Sequence, residues 1–299
     1  MSSPATFDSS RWLAWYFVTV WGSGYLATKV GLQYAPPLTF LTLRFLFGIA
    51  LVIPLALVAR PTWPRGRLLG HAIVAGLLMH AVNLGGSHYA QYLGMSAGIA
   101  ALILALQPLV TAVVAAPLLS ERLQRPQWLG VVLGLLGVAL VVWHKVDLRA
   151  LSWPALVAVT IALAAITTGT LYQRRFCPAI DLRAASVVQF VASALVLAPL
   201  AVLVEGFPVE WSWQLAASIV FLVVLASILA VNALHTLMRR GQATRVTSLL
   251  YLTPIIAVVL EWLMFGVRPT LLTALGIAVT CAGVALVAMQ PASPNVRAA

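Results

Sequence analysis

Ten apolar runs, each long enough to cross a lipid bilayer, fill most of this 299-residue chain. A membrane-spanning helix needs about 20 mostly apolar residues, and in lipid each backbone polar group must find its partner inside the protein. Only 8% of the residues are charged, whereas a soluble domain carries about 25%. The sequence therefore predicts an all-α integral membrane protein with ten transmembrane helices. The predicted spans cover residues 12–30, 37–59, 69–91, 96–119, 128–144, 153–173, 184–204, 213–238, 244–266 and 270–289.

Lysine and arginine are distributed unevenly between the two sides of these spans. Thirteen lie on one side and three or four on the other. Because positive residues are retained in the cytoplasm, we predict that the richer side and both termini are cytoplasmic. The first apolar run has no basic residue close to Met1, so we predict a retained helix rather than a cleaved signal peptide. The net charge of +11 lies in the loops of a membrane protein and predicts no nucleic-acid partner.

An internal repeat organises the chain. The five residues Gly137–Val141 recur letter for letter as Gly283–Val287, 146 positions later. Pro108 and Pro254 match at the same offset, as do further pairs, namely Gly130 with Gly276 and Arg122 with Arg268. Two repeats, residues 1–150 and 151–299, would each hold five spans. Since five is odd, the second repeat enters the membrane from the opposite side, which gives the inverted architecture common in secondary transporters.

The matched prolines lie in the middle of spans four and nine. A proline removes a backbone donor and breaks or kinks a helix, and interrupted helices at matching positions point to a transport site. Gln107 and Thr253 are their polar neighbours and become candidate substrate contacts. We expect a continuous kinked helix at each proline, with unwinding as the alternative.

Three charged residues fall inside spans rather than in loops: Lys29, Arg44 and Glu261. Charges within a membrane are costly and are usually paired and functional. All three are predicted to lie in the outer, non-cytoplasmic third. We expect Glu261 to pair with Arg44 or with Lys29, either as a static ion pair or as an outer gate.

Polar and aromatic side chains within the spans supply the remaining candidates for a substrate site. His80, Asn83, Ser87 and Gln91 recur at steps of three or four and share one face of span three. Such a face either glues helices together or lines a cavity. The candidate substrate-binding residues are Trp21, His80, Asn83, Ser87, Tyr89, Gln107, Asn232, His235, Tyr251 and Thr253. No metal-ligand spacing or catalytic motif occurs, so we predict no enzyme, metal or cofactor.

Several short motifs resemble the EamA family of the drug/metabolite transporter superfamily. They are Trp21-Gly22-Ser23, Leu43-Arg44-Phe45, the string Ser96–Ile103, Gln107-Pro108-Leu109 and Ser120–Leu123, followed by Gly130, Gly134 and Gly137. Within that family the chain is similar to bacterial exporters of aromatic amino acids. It departs from the family where the position matching Glu121 is Val267, while the second half carries Glu261 instead.

The resemblance implies export of a small molecule across the bacterial inner membrane. The inner two-thirds of the predicted bundle holds no fixed charge, which disfavours phosphorylated substrates because phosphate is bound by basic clusters. A zwitterion with an apolar side chain, such as an aromatic or hydrophobic amino acid, fits better. A multidrug or general metabolite exporter and a non-transporting scaffold are the alternatives. Gly130, Gly134 and Gly137, with Gly276 and Gly283, predict a tight pairing of spans five and ten within a monomer.

Overall fold

A computed structural model describes residues 9–118, 124–147, 152–230, 233 and 252–288, and these ranges are helical apart from short connections. The helices, in chain order, are α1 (Ser9–Gly31), α2 (Pro37–Ala59), α3 (Arg67–Gly76), α4 (Asn83–Tyr92), α5 (Ala97–Leu104), α6 (Gln107–Leu118), α7 (Arg125–Asp147), α8 (Trp153–Phe176), α9 (Leu182–Leu200), α10 (Trp213–Val220), α11 (Thr253–Phe265) and α12 (Leu271–Ala288). Three π-helical segments continue α3, α9 and α10, at Leu77–Val82, Ala201–Glu205 and Phe221–Leu229.

Each of the ten predicted spans contains a helix in the described ranges. Within those ranges, six helical stretches are long and apolar enough to cross a membrane, and three shorter apolar helices belong to spans eight, nine and ten. Large apolar side chains such as Leu57, Val58 and Leu203 are exposed, as lipid-facing residues must be. The prediction of an all-α, ten-span membrane fold is therefore confirmed. Candidates Asn232, His235 and Tyr251 lie outside the described residues, as does Glu121.

Span four is interrupted rather than continuous. Helix α5 ends at Leu104, and α6 begins at Gln107 after a two-residue turn. The N–H of Leu106 bonds the carbonyl oxygen of Ile103, three residues back (3.1 Å), which is tighter than the α-helical pattern. Pro108 then occupies the first turn of α6, where its missing N–H leaves no helical bond unmade. Our expectation of a continuous kinked helix is wrong at this position.

Pro254 occupies the equivalent place in the second repeat. Helix α11 begins at Thr253 with Pro254 in its first turn. The residues before Leu252 lie outside the described part of the chain, so the comparison stops at the helix start. In both repeats the proline therefore lies in the first turn of a helix, α6 in the first repeat and α11 in the second.

The π-helical segments of spans three and eight also follow the repeat. Shifting Leu77–Val82 by the repeat offset of 146 places it inside Phe221–Leu229. π-Helical turns are rare, and they occur frequently at functional sites. They position His80 in the first repeat and Ser227 in the second.

Spans five and ten pack with their backbones in direct contact. A Cβ atom added to Gly130 would lie 2.5 Å from the carbonyl oxygen of Gly283, and one added to Gly137 would lie 2.6 Å from that of Gly276. The Thr280 hydroxyl fills the remaining space and donates to the Gly276 carbonyl oxygen at 2.8 Å. The predicted pairing of spans five and ten through their glycines is confirmed, and we name this contact the glycine seam.

Replacing Gly137 by leucine should destabilise the fold, because no side chain fits between α7 and α12 at this point. We expect Gly137→Leu to lower the melting temperature of the detergent-purified protein by several degrees, measured by intrinsic fluorescence. Gly70→Leu is the matched control, since a Cβ at helical Gly70 meets no described atom within 4 Å. Equal melting temperatures for the two variants would contradict the seam.

Candidate functional site

A buried carboxylate joins three helices at the outer end, our name for the end predicted to face away from the cytoplasm. Glu261 on α11 is only 2% exposed, and its Oε1 accepts from Lys29 Nζ at 2.6 Å. The same oxygen accepts from the backbone N–H of Ala97, and Oε2 accepts from that of Gly98, both at 3.0 Å. We call this arrangement of Glu261, Lys29 and the first turn of α5 the outer latch.

The latch satisfies groups that lipid would leave without partners. The first backbone N–H groups of a helix have no partner within it, and the helix N-terminus carries partial positive charge. Every residue of Ala97–Ile103 is buried, so water does not serve the start of α5. The Glu261 carboxylate supplies both acceptors and a complementary charge. Because Glu261 comes from the second half and its partners from the first, the latch ties the halves together.

Lys29 is the cation that pairs with Glu261. Its ammonium also lies 4.6 Å from the centre of the Phe265 ring, and its side chain is 26% exposed. Arg44, the other partner we considered, bonds the Ser227 hydroxyl instead. Of the two expected pairings, the structure therefore contains the one with Lys29.

A second carboxylate at the outer end uses the same device. Glu205 ends span seven, and its oxygens accept from the backbone N–H groups of Leu38 (3.0 Å) and Thr39 (2.8 Å) at the start of α2. The Thr39 hydroxyl adds a third bond at 2.9 Å. Spans two and seven are repeat mates, as are spans four and nine. In both pairs, an acid near the end of the second-half span accepts hydrogen bonds from the first backbone N–H groups of the matching first-half span.

The sequence did not predict this role of Glu205, because Glu205 lies one residue beyond the predicted seventh span, 184–204. The signal lay in Pro36-Pro37, which marks a helix start with no side-chain cap of its own. Glu205 was the available partner, because the predicted span 184–204 ends on the same side of the membrane as the start of α2.

Polar side chains of spans three, four, six and seven form two hydrogen-bonded groups, and both groups include a residue of α8. His80 Nε2 donates to Gln189 Oε1 at 3.2 Å, and Gln189 Nε2 donates to Gln173 Oε1 at 2.8 Å. Gln107 Nε2 donates to the Thr170 hydroxyl at 3.2 Å. We call these five residues the central polar network. The rings of Phe45 and Phe190 pack against His80 and give the network apolar walls.

A cavity of about 490 Å³, open to the surface, adjoins this network toward the predicted cytoplasmic end. Thr170 and Gln173 belong to both the network and the cavity wall. The complete lining is Met79, Thr170, Gln173, Arg174, Cys177, Pro178, Ile180 and Leu182. A volume of this size suits a small organic molecule.

Three other candidates are buried within the bundle. Asn83 donates from Nδ2 to the Met79 carbonyl oxygen, while its Oδ1 has no partner among the described residues. The Thr253 hydroxyl is likewise buried without a described partner, and Ser87 is buried on the same helix as Asn83. Buried polar atoms are normally satisfied, so the unpaired atoms of Asn83 and Thr253 are available to a ligand.

Two predicted substrate contacts do not join this set. Tyr89 lies on the opposite side of α4 from Ser87, because residues two apart on a helix point about 200° apart, and its ring packs on Tyr92. Trp21 is 38% exposed on α1 and packs against Phe17. Tyr89 is better placed as an interfacial aromatic near the outer end, where tyrosine is enriched.

Sequence reasoning also missed the glutamines and threonine on spans six and seven. Thr167, Thr170 and Gln173 step by three along α8, which is the signal that identified the face of span three. Gln189 is a single amide in an apolar helix and carried no periodic signal. Its 6% exposure and its two bonds make it the link between His80 and Gln173.

Comparisons with known proteins agree with this architecture. A model described as "EamA-like transporter family" matches residues 11–143 and 152–289. The chain is 29% identical over 269 residues to the "Uncharacterized inner membrane transporter YedA" of Escherichia coli, covering 83% of this chain and 84% of that protein. It is 26% identical over 274 residues to the "Probable amino-acid metabolite efflux pump" of the same organism, covering 88% and 89% of the two chains.

A similar pump from Salmonella typhimurium is 27% identical over 264 residues, with 85% of this chain and 86% of that one covered. A crystal structure that is 19% identical superimposes with a TM-score of 0.65 over 94% of this chain and 96% of that one, and it supports the fold alone. With a family model matched over nearly the whole chain, this protein is a multi-pass inner membrane transporter, not an enzyme, and belongs to the EamA-like transporter family.

Proposed function

We propose that the protein exports small zwitterionic metabolites, namely aromatic or hydrophobic amino acids, by alternating access through the interior between the two repeats. The observation that carries the proposal is the central polar network beside a cavity of about 490 Å³. We further propose that residues 1–150 and 151–299 act as one transport unit in a monomer, with both termini in the cytoplasm.

The chemistry of the network favours a zwitterion with an apolar side chain. Its members are amides, a hydroxyl and an imidazole, which offer both donors and acceptors to a small polar head group. Phe45 and Phe190 provide apolar surface next to His80. The described cavity lining holds one cation, Arg174, and no acid, which opposes lipophilic cations. The relatives named as amino-acid metabolite efflux pumps support the same class.

Contacts that close the outer end of the bundle support loading of the substrate from the cytoplasmic side. The outer latch holds α1, α5 and α11 together, while the described cavity lies toward the opposite end. A transporter in this state takes its substrate from the cavity end, and the arginine distribution predicts that this end is cytoplasmic. Export then requires the latch to open, which makes Lys29 and Glu261 gate residues in our proposal.

Transport of an aromatic amino acid is the first prediction. Proteoliposomes loaded with L-phenylalanine should exchange it for labelled L-phenylalanine, and excess tetraphenylphosphonium should not compete. Thr170→Trp should abolish at least 90% of this exchange, because the indole fills the cavity beside the network. This corresponds to a loss of about 1.4 kcal/mol or more in transition-state stabilisation. Competition by the lipophilic cation would favour a multidrug exporter instead. No exchange of any amino acid would contradict the proposal.

Thr160→Trp is the matched control for this variant. Thr160 lies on the same helix, and each threonine hydroxyl donates 2.7 Å to the carbonyl oxygen four residues back. Thr160 is exposed on the surface of the bundle, so its replacement should leave exchange within about twofold of the unmodified protein. Equal loss in both variants would show that tryptophan acts on folding and not on the path.

Opening of the latch is a second prediction. In a background with Cys177 and Cys281 replaced by serine, Thr28→Cys places a thiol one residue from Lys29 in a buried position. Adding Glu261→Gln should raise the rate of labelling by an outside maleimide several-fold, because the neutral amide holds Lys29 and α5 more weakly. Glu210→Gln is the control, since Glu210 is an exposed acid at the same end. An unchanged labelling rate with Glu261→Gln would make the latch a static element.

Charge reversal distinguishes a simple ion pair from the capped helix. Lys29→Glu and Glu261→Lys should each destabilise the protein, because breaking a buried pair costs about 3–5 kcal/mol. The double reversal should not recover the melting temperature, since a lysine at 261 cannot accept from the N–H groups of Ala97 and Gly98. Lys29→Arg should retain the melting temperature of the unmodified protein. Full recovery in the double variant would show that the cap at α5 contributes little.

A further inference from the structure

Arg44 is a cation inside the membrane that no acid neutralises among the described residues. It lies seven residues into α2, about 10 Å from the outer start of that helix. The ion pair found in the described ranges joins Lys29 to Glu261 and leaves Arg44 out. A charge at this depth is costly and is normally paired or placed in a functional cavity.

The acids closest in depth are already occupied. Glu261 accepts three bonds in the outer latch, and Glu205 accepts three from the start of α2. Each carboxylate therefore has its charge complemented by a helix start, and in one case also by Lys29. Within the described residues, the sequence places a guanidinium in the bundle and commits both nearby carboxylates elsewhere.

The surroundings of Arg44 hold the guanidinium in place without neutralising it. Its Nη2 donates to the Ser227 hydroxyl at 3.3 Å, and that hydroxyl passes its own hydrogen to the Leu222 carbonyl oxygen at 2.8 Å. A guanidinium has five N–H donors, so this single bond leaves most of them available.

We propose that Arg44 binds the carboxylate of the transported molecule, so that the substrate itself is the missing counter-ion. This inference rests on the proposed function and deepens it, because it restricts the substrates to carboxylates. The planar guanidinium matches a carboxylate with two parallel hydrogen bonds. Ser227 comes from the second repeat and Arg44 from the first, so the bound carboxylate lies between the two halves. Phe45, the next residue along α2, packs its ring against His80 of the central polar network.

The test compares a carboxylate ligand with its neutral-headed analogue. Binding of L-phenylalanine and of L-phenylalaninamide to the purified full-length protein is measured by calorimetry. The unmodified protein should prefer the carboxylate by about 10- to 100-fold, the worth of a charged hydrogen-bonded contact. Arg44→Gln should remove this preference by weakening only the carboxylate ligand. Arg44→Lys keeps the charge but cannot form two parallel hydrogen bonds. Its preference for the carboxylate should lie between those of the unmodified protein and Arg44→Gln.

Arg60→Gln is the matched control, at the residue that follows the last turn of the same helix. Arg60 is exposed at the far end of α2, and its replacement should leave the preference for the carboxylate unchanged. Persistence of the preference in Arg44→Gln would overturn the inference while leaving amino-acid transport standing. Failure of the unmodified protein to bind or exchange any amino acid would instead overturn the proposed function on which the inference depends.

Stability separates this role from a structural one. Removing an unpaired cation from the bundle should leave the melting temperature of Arg44→Gln equal to or above that of the unmodified protein. A merely structural arginine would give a lower melting temperature in Arg44→Gln, restored in Arg44→Lys, with the carboxylate preference intact in both. That combination would also overturn the inference.

Discussion

The start of a helix in lipid needs acceptors for backbone N–H groups that the helix itself cannot satisfy. In this protein, two carboxylates from the second half meet that need for two helices of the first half. Glu261 caps α5 and Glu205 caps α2, and each acid lies near the end of the helix that is the repeat mate of the one it caps. The two halves are therefore joined at the outer end by electrostatics between a side chain and backbone dipoles.

The two caps differ in one respect that matters for function. Glu205 has no cation beside it among the described contacts, whereas Glu261 also holds Lys29 of α1. The latch at Glu261 thus involves three helices, and the cap at Glu205 involves two. Breaking the first separates helices of both repeats at once, which is what an opening at that end requires. In our proposal, the same device serves as a fixed cap at Glu205 and as a closure at Glu261.

Much of the fold followed from the sequence because the membrane leaves few choices. The length of apolar runs determines the spans, and the glycines at the repeat offset predicted the contact of α7 with α12. The sequence did not predict whether Glu261 pairs with Lys29 or with Arg44. Position along a span gives the depth of a charge in the membrane, but it does not show toward which neighbouring helix the side chain points. The interruption before Pro108 was missed because proline permits both a kink and a new helix start. Gln189 stood alone in its helix, so only the packed structure showed that it links His80 to Gln173.

The glycine seam determines which parts of the molecule stay together. At Gly130 and Gly137 the backbones of spans five and ten touch, so neither helix can slide past the other without collision. Side-chain contacts elsewhere can exchange partners through rotamer changes, but backbone contacts of this kind have no such freedom. In the proposed transport cycle we therefore expect spans five and ten to stay paired while the other helices rearrange around them.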